Sequence, residues 1–88
     1  MIGLHRGIIV SEPIRGVCFA EDLVDHISVF VPLREVGDSR YLHLDDIITF
    51  DLVDNPRHPG KFMATNIKYA GHSIARQAAH KQQNGGVL

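Results

Sequence analysis

The chain contains no tryptophan, a single cysteine and few aromatic residues, with four phenylalanines and two tyrosines. The lone cysteine, Cys18, excludes a disulfide within the chain. The first residues include no long apolar run, so we expect neither a signal peptide nor a membrane span, and a cytoplasmic location. The formal net charge is −1, so the strongly basic balance that is typical of a dedicated nucleic-acid-binding protein is also missing.

The length and composition predict one small folded domain. A chain of 88 residues buries only about 60% of the surface that it exposes when unfolded, so a large enclosed active site is not expected. Hydrophobic residues make up 44% and charged residues 22% of the chain, as in ordinary folded proteins. We expect a barrel domain over residues 1–70 and a C-terminal extension over residues 71–88.

The two parts of the chain differ in charge. Residues 1–54 contain all ten acidic residues and four basic ones, whereas residues 55–88 contain five basic residues and no acidic one. Such asymmetry indicates either an anion-binding edge or two oppositely charged halves that face each other in a compact domain.

Short runs rich in β-branched and aromatic residues, separated by turn residues, predict five strands. The runs lie at residues 5–10, 16–21, 27–33, 46–53 and 61–70. Closing into a small barrel is one way for five short strands to avoid exposed edges. After Gly71, good helix formers and then a glycine-containing end predict a short helical or disordered extension.

The order and spacing of several motifs resemble the cold-shock domain, an OB-type barrel that binds single-stranded RNA and DNA. The second and third strands carry R-G-V-C-F-A at 15–20 and V-F-V-P-L at 29–33, where the family has K-G-F-G-F-I and V-F-V-H-F. The eight residues between them match the usual family spacing. Residues 42–50 fit L-x-x-G-x-x-V-x-F with Asp45 in place of glycine, and residues 64–67 fit A-x-N-V.

The resemblance implies a five-stranded antiparallel OB-type barrel with a base-stacking platform on its outer face. Phe19 and Phe30 occupy family stacking positions, and Arg15 occupies the position of the family lysine. Three other platform residues of the family are replaced here, by Val17, Pro32 and Leu33. Because each stacked base contributes about 1–3 kcal/mol, the depleted platform implies weak binding.

Basic residues accompany a further aromatic residue between the fourth and fifth strands. Arg57 and Lys61 lie near Phe62, and in OB barrels this loop flanks the ligand groove. Phosphates and bases of a single strand require such a combination, although a solvated hairpin tip would have a similar composition. The predicted nucleic-acid-binding residues are therefore Arg15, Phe19, Phe30, Arg57, Lys61 and Phe62.

Strand alternation offers a second interpretation of the same face. If Val17 and Phe19 point outward, the outer face becomes mainly aliphatic, and an exposed apolar patch usually marks an interaction surface. A homodimer, a protein partner or the chain's own C-terminal segment could cover it. The residues of this alternative interface are Ile8, Val10, Val17, Phe19, Phe30 and Pro32.

The sequence contains no pattern that indicates catalysis or a cofactor. The six histidines have no close ligand spacing, which does not favour a metal site. Cys18 has no basic neighbour on its own face and is expected to be a small buried residue. Phosphate loops, hydrolase elbows and catalytic triads are not recognisable. We therefore expect a non-catalytic binding module without a cofactor.

Overall fold

The computed structural model describes residues 4–73 and shows an all-β domain. Each strand lies within two residues of its predicted bounds. A single 3-10 helix, Leu33–Glu35, follows the third strand, and residues 4–73 contain no α-helix and no helix that could span a membrane. The strands are β1 His5–Ile9, β2 Val17–Asp22, β3 Ser28–Pro32, β4 Asp46–Asp54 and β5 Phe62–His72.

The five strands form a closed barrel in the order β1-β2-β3-β5-β4, in which β1 pairs with both β2 and β4. The prediction of a five-stranded barrel is confirmed, and the architecture is consistent with an OB-type barrel. The pairing is mixed rather than wholly antiparallel, because β3 and β5 run parallel. Two parallel neighbouring strands must be joined by a long crossover connection. Here the connection is the chain between β3 and β5, which includes β4.

Alternating side chains of the strands fill the barrel interior. Phe50, on β4, is fully buried, and a glycine at position 7 makes room for it. A Cβ atom on Gly7 would lie 3.0 Å from both the Phe50 Cε1 atom and the Glu21 carbonyl oxygen. The core consists of Ile9, Cys18, Ala20, Val29, Val31, Val36, Leu42, Ile48, Phe50, Ala64 and Ile67.

The connection between β3 and β4 contributes to this core. Val36 forms an isolated parallel bridge with Ile67, and Leu42 is fully buried. The guanidinium carbon of Arg40 lies 4.1 Å from the ring centroid of Tyr69, a distance at which the cation is attracted by the ring. The segment therefore packs against β5 rather than extending into solvent.

The C-terminal strand is longer than predicted. It continues to His72, two residues beyond the expected domain boundary at residue 70, and pairs there with Asp46. The His72 Nδ1 atom lies 2.8 Å from the Asp46 Oδ1 atom. The predicted helical or disordered extension falls largely on residues 74–88, which lie outside the described residues.

The turn between β1 and β2 has a conformation that favours glycine and asparagine. Ile14 and Val17 exchange backbone hydrogen bonds of 2.9 and 3.1 Å, and the two residues between them, Arg15 and Gly16, have φ angles of 56° and 81°. Two consecutive positive φ angles define a type I′ turn, for which Asn-Gly is a preferred pair. The L side chain of Arg15 is therefore conformationally unfavourable at this position.

We expect Arg15→Asn to raise the free energy of unfolding by about 1 kcal/mol because asparagine tolerates the left-handed region better than arginine does. Urea denaturation followed by circular dichroism measures the change. Gly16→Ala, at the other central position, provides a control of opposite sign, because no atom lies within 4 Å of its added Cβ and only the backbone conformation opposes it. A loss of stability in Arg15→Asn would contradict the prediction.

Candidate nucleic-acid interface

Phe19 and Phe30 lie side by side on the outer face of the barrel. They are register partners on β2 and β3, and their ring centroids are 5.8 Å apart in an edge-to-face arrangement of 72°. Phe19 is 44% exposed and Phe30 is half-buried. The neighbours of each along its strand, among them Cys18 and Val29, point into the core. Alternation therefore holds both rings outward.

The loop between β4 and β5 brings Phe62, together with His58 and Lys61, next to the Phe19–Phe30 pair. Phe62, at the start of β5, lies next to β3 because Val29 and Phe62 are partners in the parallel pairing. A groove of about 490 Å³ results. Its lining residues are Phe19, Ser28, Phe30, Asn55, His58, Pro59, Lys61 and Phe62.

Asn55 organises this loop. Its side chain is buried, and its Oδ1 atom accepts a hydrogen bond of 3.0 Å from the backbone amide of Arg57. The backbone amide of Asn55 donates a hydrogen bond of 2.9 Å to the backbone carbonyl oxygen of Lys61. The backbone carbonyl oxygen of Asn55 accepts a hydrogen bond of 3.2 Å from the backbone amide of His58. These bonds fold the loop back on itself and hold His58 and Lys61 at the groove.

The structure brings together four of the six residues predicted to bind nucleic acid. Phe19, Phe30, Lys61 and Phe62 line the groove. Arg15 lies at the tip of the β1–β2 turn, and Arg57 is exposed in the β4–β5 loop; neither lines the groove.

Four groove residues, Ser28, Asn55, His58 and Pro59, were not predicted as site residues. Ser28 begins β3, whereas Asn55, His58 and Pro59 lie where the Asn-Pro and His-Pro-Gly turn signals indicate a loop. These signals do not indicate which side chains the loop turns toward β3.

The groove is lined by basic and neutral groups only, since none of its lining residues carries a carboxylate. Within residues 4–73, no salt bridge joins Lys61, Arg57 or Arg15 to an acidic group. The acidic Glu21 lies farther along β2, and its Oε2 atom is 2.7 Å from His26 Nδ1. The lining side chains themselves therefore suit an anionic ligand, while two carboxylates lie on the register partners of lining residues, Glu21 opposite Ser28 and Asp54 opposite Phe62.

The predicted aliphatic face is smaller than expected. Ile8 is 3% exposed and Pro32 less than 2% exposed, so the prediction that both contribute exposed surface is wrong. Pro32 is buried where the chain turns into the 3-10 helix, and Ile8 lies on the strand between β2 and β4, with Glu21 and Ile47 as its register neighbours. The other four members of this face keep outer surface: Val10 and Phe19 are exposed, and Val17 and Phe30 are half-buried.

A buried carboxylate stabilises the other end of the β1–β2 pair. Asp22 is fully buried, and its side chain accepts hydrogen bonds from the amides of Val24 and Asp25 at 2.8 and 3.1 Å. Its Oδ2 atom lies 2.8 Å from His5 Nδ1. Burial by itself would raise the pKa of Asp22, but the two amides and His5 outweigh it and hold the pKa below the ordinary value. Sequence reasoning missed this pair because its members are 17 residues apart.

Cys18 is a buried core residue, as predicted. Burial, together with the charges of Glu12 and Asp46, raises the pKa of its thiol to about 11. The neutral thiol therefore dominates at physiological pH, which is the opposite of what a nucleophilic cysteine requires. The part of the chain that the structure describes also contains no group of three or more potential metal ligands.

No protein-family model matches this chain, and no curated protein matches it either. The resemblance to the cold-shock domain therefore remains a prediction that depends on the motifs at residues 15–20, 29–33, 42–50 and 64–67. The strand order is consistent with that prediction at the level of the fold.

The lowered pKa of Asp22 predicts an acid-sensitive domain. Above the unfolded-state value of about 3.9, the carboxylate is ionised in both states and its stabilisation is complete. As the pH falls through the lower folded-state pKa, the unfolded state takes up a proton first and the stabilisation is lost. We expect Asp22→Asn to reduce the free energy of unfolding at pH 7 by about 1.5–3 kcal/mol and to flatten its decline below pH 4.

Urea denaturation at a series of pH values tests this expectation. Asp25→Asn is the matched control, because it removes a neighbouring exposed carboxylate and keeps the backbone amide that donates to Asp22. An unchanged slope in Asp22→Asn, or an equal flattening in both variants, would contradict the assignment.

Proposed function

We propose that this domain is a non-catalytic module that binds single-stranded nucleic acid weakly. The observation that carries the proposal is the groove in which Phe19, Phe30 and Phe62 meet His58 and Lys61. Aromatic rings accept bases of any sequence because every base has a π-face, and adjacent cations neutralise phosphates. A groove of about 490 Å³ has the dimensions of a small-ligand site and holds only a short stretch of a strand.

The number of suitable side chains limits the affinity. Three phenylalanines line the groove, and Phe30 is half-buried with its ring edge-to-face against Phe19. At about 1–3 kcal/mol per stacked base, two or three stacks minus the cost of ordering the strand leave weak binding. Arg15 and Arg57 lie outside the groove and could meet phosphates that extend beyond it.

Protein association through the aliphatic face is the competing function. The burial of Ile8 and Pro32 leaves that face less apolar surface than an interface of six exposed residues would have. The remaining exposed ring, Phe19, belongs to the groove as well. We therefore favour nucleic acid as the ligand, and self-association becomes an outcome of the test.

Titration of the labelled protein with a short oligouridine, followed by amide NMR, is expected to shift residues 17–20, 28–31 and 55–62. Phe19→Ala removes one stacking ring, so the dissociation constant should increase about 5- to 150-fold. Tyr41→Ala, which removes another exposed aromatic ring that does not line the groove, should leave it unchanged. Slow tumbling before any oligonucleotide is added, with no shifts afterwards, would indicate a dimer and contradict the proposal.

The contribution of phosphate contacts should appear as a dependence on salt. The binding constant for a single strand falls with a log–log slope of about −0.7 for each neutralised phosphate. We expect Lys61→Gln to reduce the magnitude of this slope by about 0.7, whereas Lys68→Gln, on the outer part of β5 away from the groove, should not. Equal effects of the two variants would show that only general charge matters.

A further inference from the structure

Three polar residues lie side by side at one end of the groove. Val29 of β3 and Phe62 of β5 are partners in the parallel pairing. The residues that precede them, Ser28 and Lys61, are therefore level with each other. Asn55 lies on the other side of Lys61, because its backbone amide bonds to the Lys61 carbonyl oxygen over 2.9 Å. Neighbouring chains in such a row are about 4.7–4.9 Å apart. We call Ser28, Lys61 and Asn55 the polar row, and all three line the groove.

The side chain of Asn55 brings an unused hydrogen-bond donor to this row. Asn55 is only 7% exposed, and its Oδ1 atom accepts a hydrogen bond of 3.0 Å from the backbone amide of Arg57. The other end of the side chain is therefore the NH₂ group, which no residue in 4–73 engages as an acceptor. Every fully buried side-chain nitrogen or oxygen atom of the described residues has a partner, so this Nδ2 group is in contact with open space. A ligand in the groove that Asn55 lines can accept from it.

The hydroxyl group of Ser28, at the other end of the row, supplies both a donor and an acceptor. Ser28 is exposed, and no hydrogen bond within residues 4–73 engages its side chain. Its register partner on β2 is Glu21, and cross-strand partners share one face of a sheet. A phosphate at Ser28 would therefore lie near a carboxylate, whereas an uncharged hydroxyl group would not be repelled. This end of the polar row thus suits a neutral polar group of the ligand.

The polar row lies beside the aromatic rings rather than over them. Phe30 follows Ser28 by two residues on the same face of β3, about 6.6–6.8 Å along the strand. Bases that stack on Phe19 and Phe30 therefore leave the sugar and phosphate groups of the strand to meet the row. Lys61, in the middle, suits the phosphate, and the neutral groups on either side of it suit the adjoining sugar.

We propose that the groove prefers RNA to single-stranded DNA, because Ser28 and Asn55 form hydrogen bonds to a ribose 2′-hydroxyl group. The 2′-hydroxyl both donates and accepts, and it is the group by which a protein distinguishes RNA from DNA. It accepts from Asn55 Nδ2 and donates to the Ser28 oxygen, so both ends of the row are matched. The inference rests on the proposed function, since the ribose belongs to the strand held in the groove.

Fluorescence anisotropy measures the dissociation constants of a uridine heptamer and of the matching 2′-deoxyuridine heptamer at one salt concentration. The uridine heptamer should bind about 2- to 12-fold more tightly, which is the range for one net hydrogen bond. A 2′-fluorouridine heptamer keeps the sugar pucker of RNA but has no hydroxyl proton to donate. It should therefore lose most of this advantage.

Ser28→Ala should weaken the binding of the uridine heptamer and leave the deoxyuridine heptamer unchanged, so the ratio of the two dissociation constants approaches one. Ser39→Ala, the same substitution at an exposed loop residue outside the groove, should leave the ratio as it is. Asn55→Asp keeps an acceptor for the Arg57 amide and removes the NH₂ donor, so it should also lower the ratio. Amide NMR spectra without nucleic acid establish that each variant is folded.

The outcomes distinguish the RNA preference from the function on which it rests. If both heptamers shift the groove amides with equal dissociation constants, the preference is wrong and the proposed function stands. If neither heptamer binds, both are wrong. If the fluorinated heptamer binds as tightly as RNA, or Ser28→Ala weakens RNA and DNA equally, the assignment to the 2′-hydroxyl is overturned.

Discussion

Closure of the barrel through β1 is the constraint on which the rest of the structure depends. Because β1 bonds to β2 on one side and to β4 on the other, the five strands leave no open edge, and each side chain has a determined direction. Phe50 packs in the interior close to Gly7 on the neighbouring strand, where a Cβ atom would lie only 3.0 Å from its ring. The same alternation that directs Cys18 inward directs Phe19 outward, so the core and the candidate site result from one register.

Buried carboxylates join parts of the barrel that are distant in sequence. Asp22 binds the amides of the β2–β3 turn and lies against His5 of β1. Asp46 has a similar place at the start of β4, where it accepts from the His43 amide and lies against His72 at the end of β5. Each oxygen atom of the two carboxylates has at least one hydrogen-bond partner, which limits the cost of burying them.

The candidate site combines a rigid surface with a shaped loop. Phe19 and Phe30 stand on paired strands, whereas His58 and Lys61 are positioned by hydrogen bonds around Asn55. The parallel pairing of β3 with β5 joins the two, since it sets Phe62 beside Val29 and thus near Phe30. Exposed aromatic rings and a basic rim are therefore adjacent in a chain whose net charge is slightly negative.

Local patterns in the sequence were enough to predict the five strands, because strand alternation and turn residues act over a few positions. Together with the resemblance, alternation also predicted the inward position of Cys18 and the outward positions of Phe19 and Phe30. The parallel β3–β5 contact, the His5–Asp22 pair and the burial of Ile8 and Pro32 were decided only by the tertiary structure. Each of these depends on which distant segments become neighbours when the barrel closes. The same holds for Asn55 and His58, which the sequence does not distinguish from ordinary turn residues, and for Ser28 of β3, which lines the groove only because the β4–β5 loop is folded against that strand.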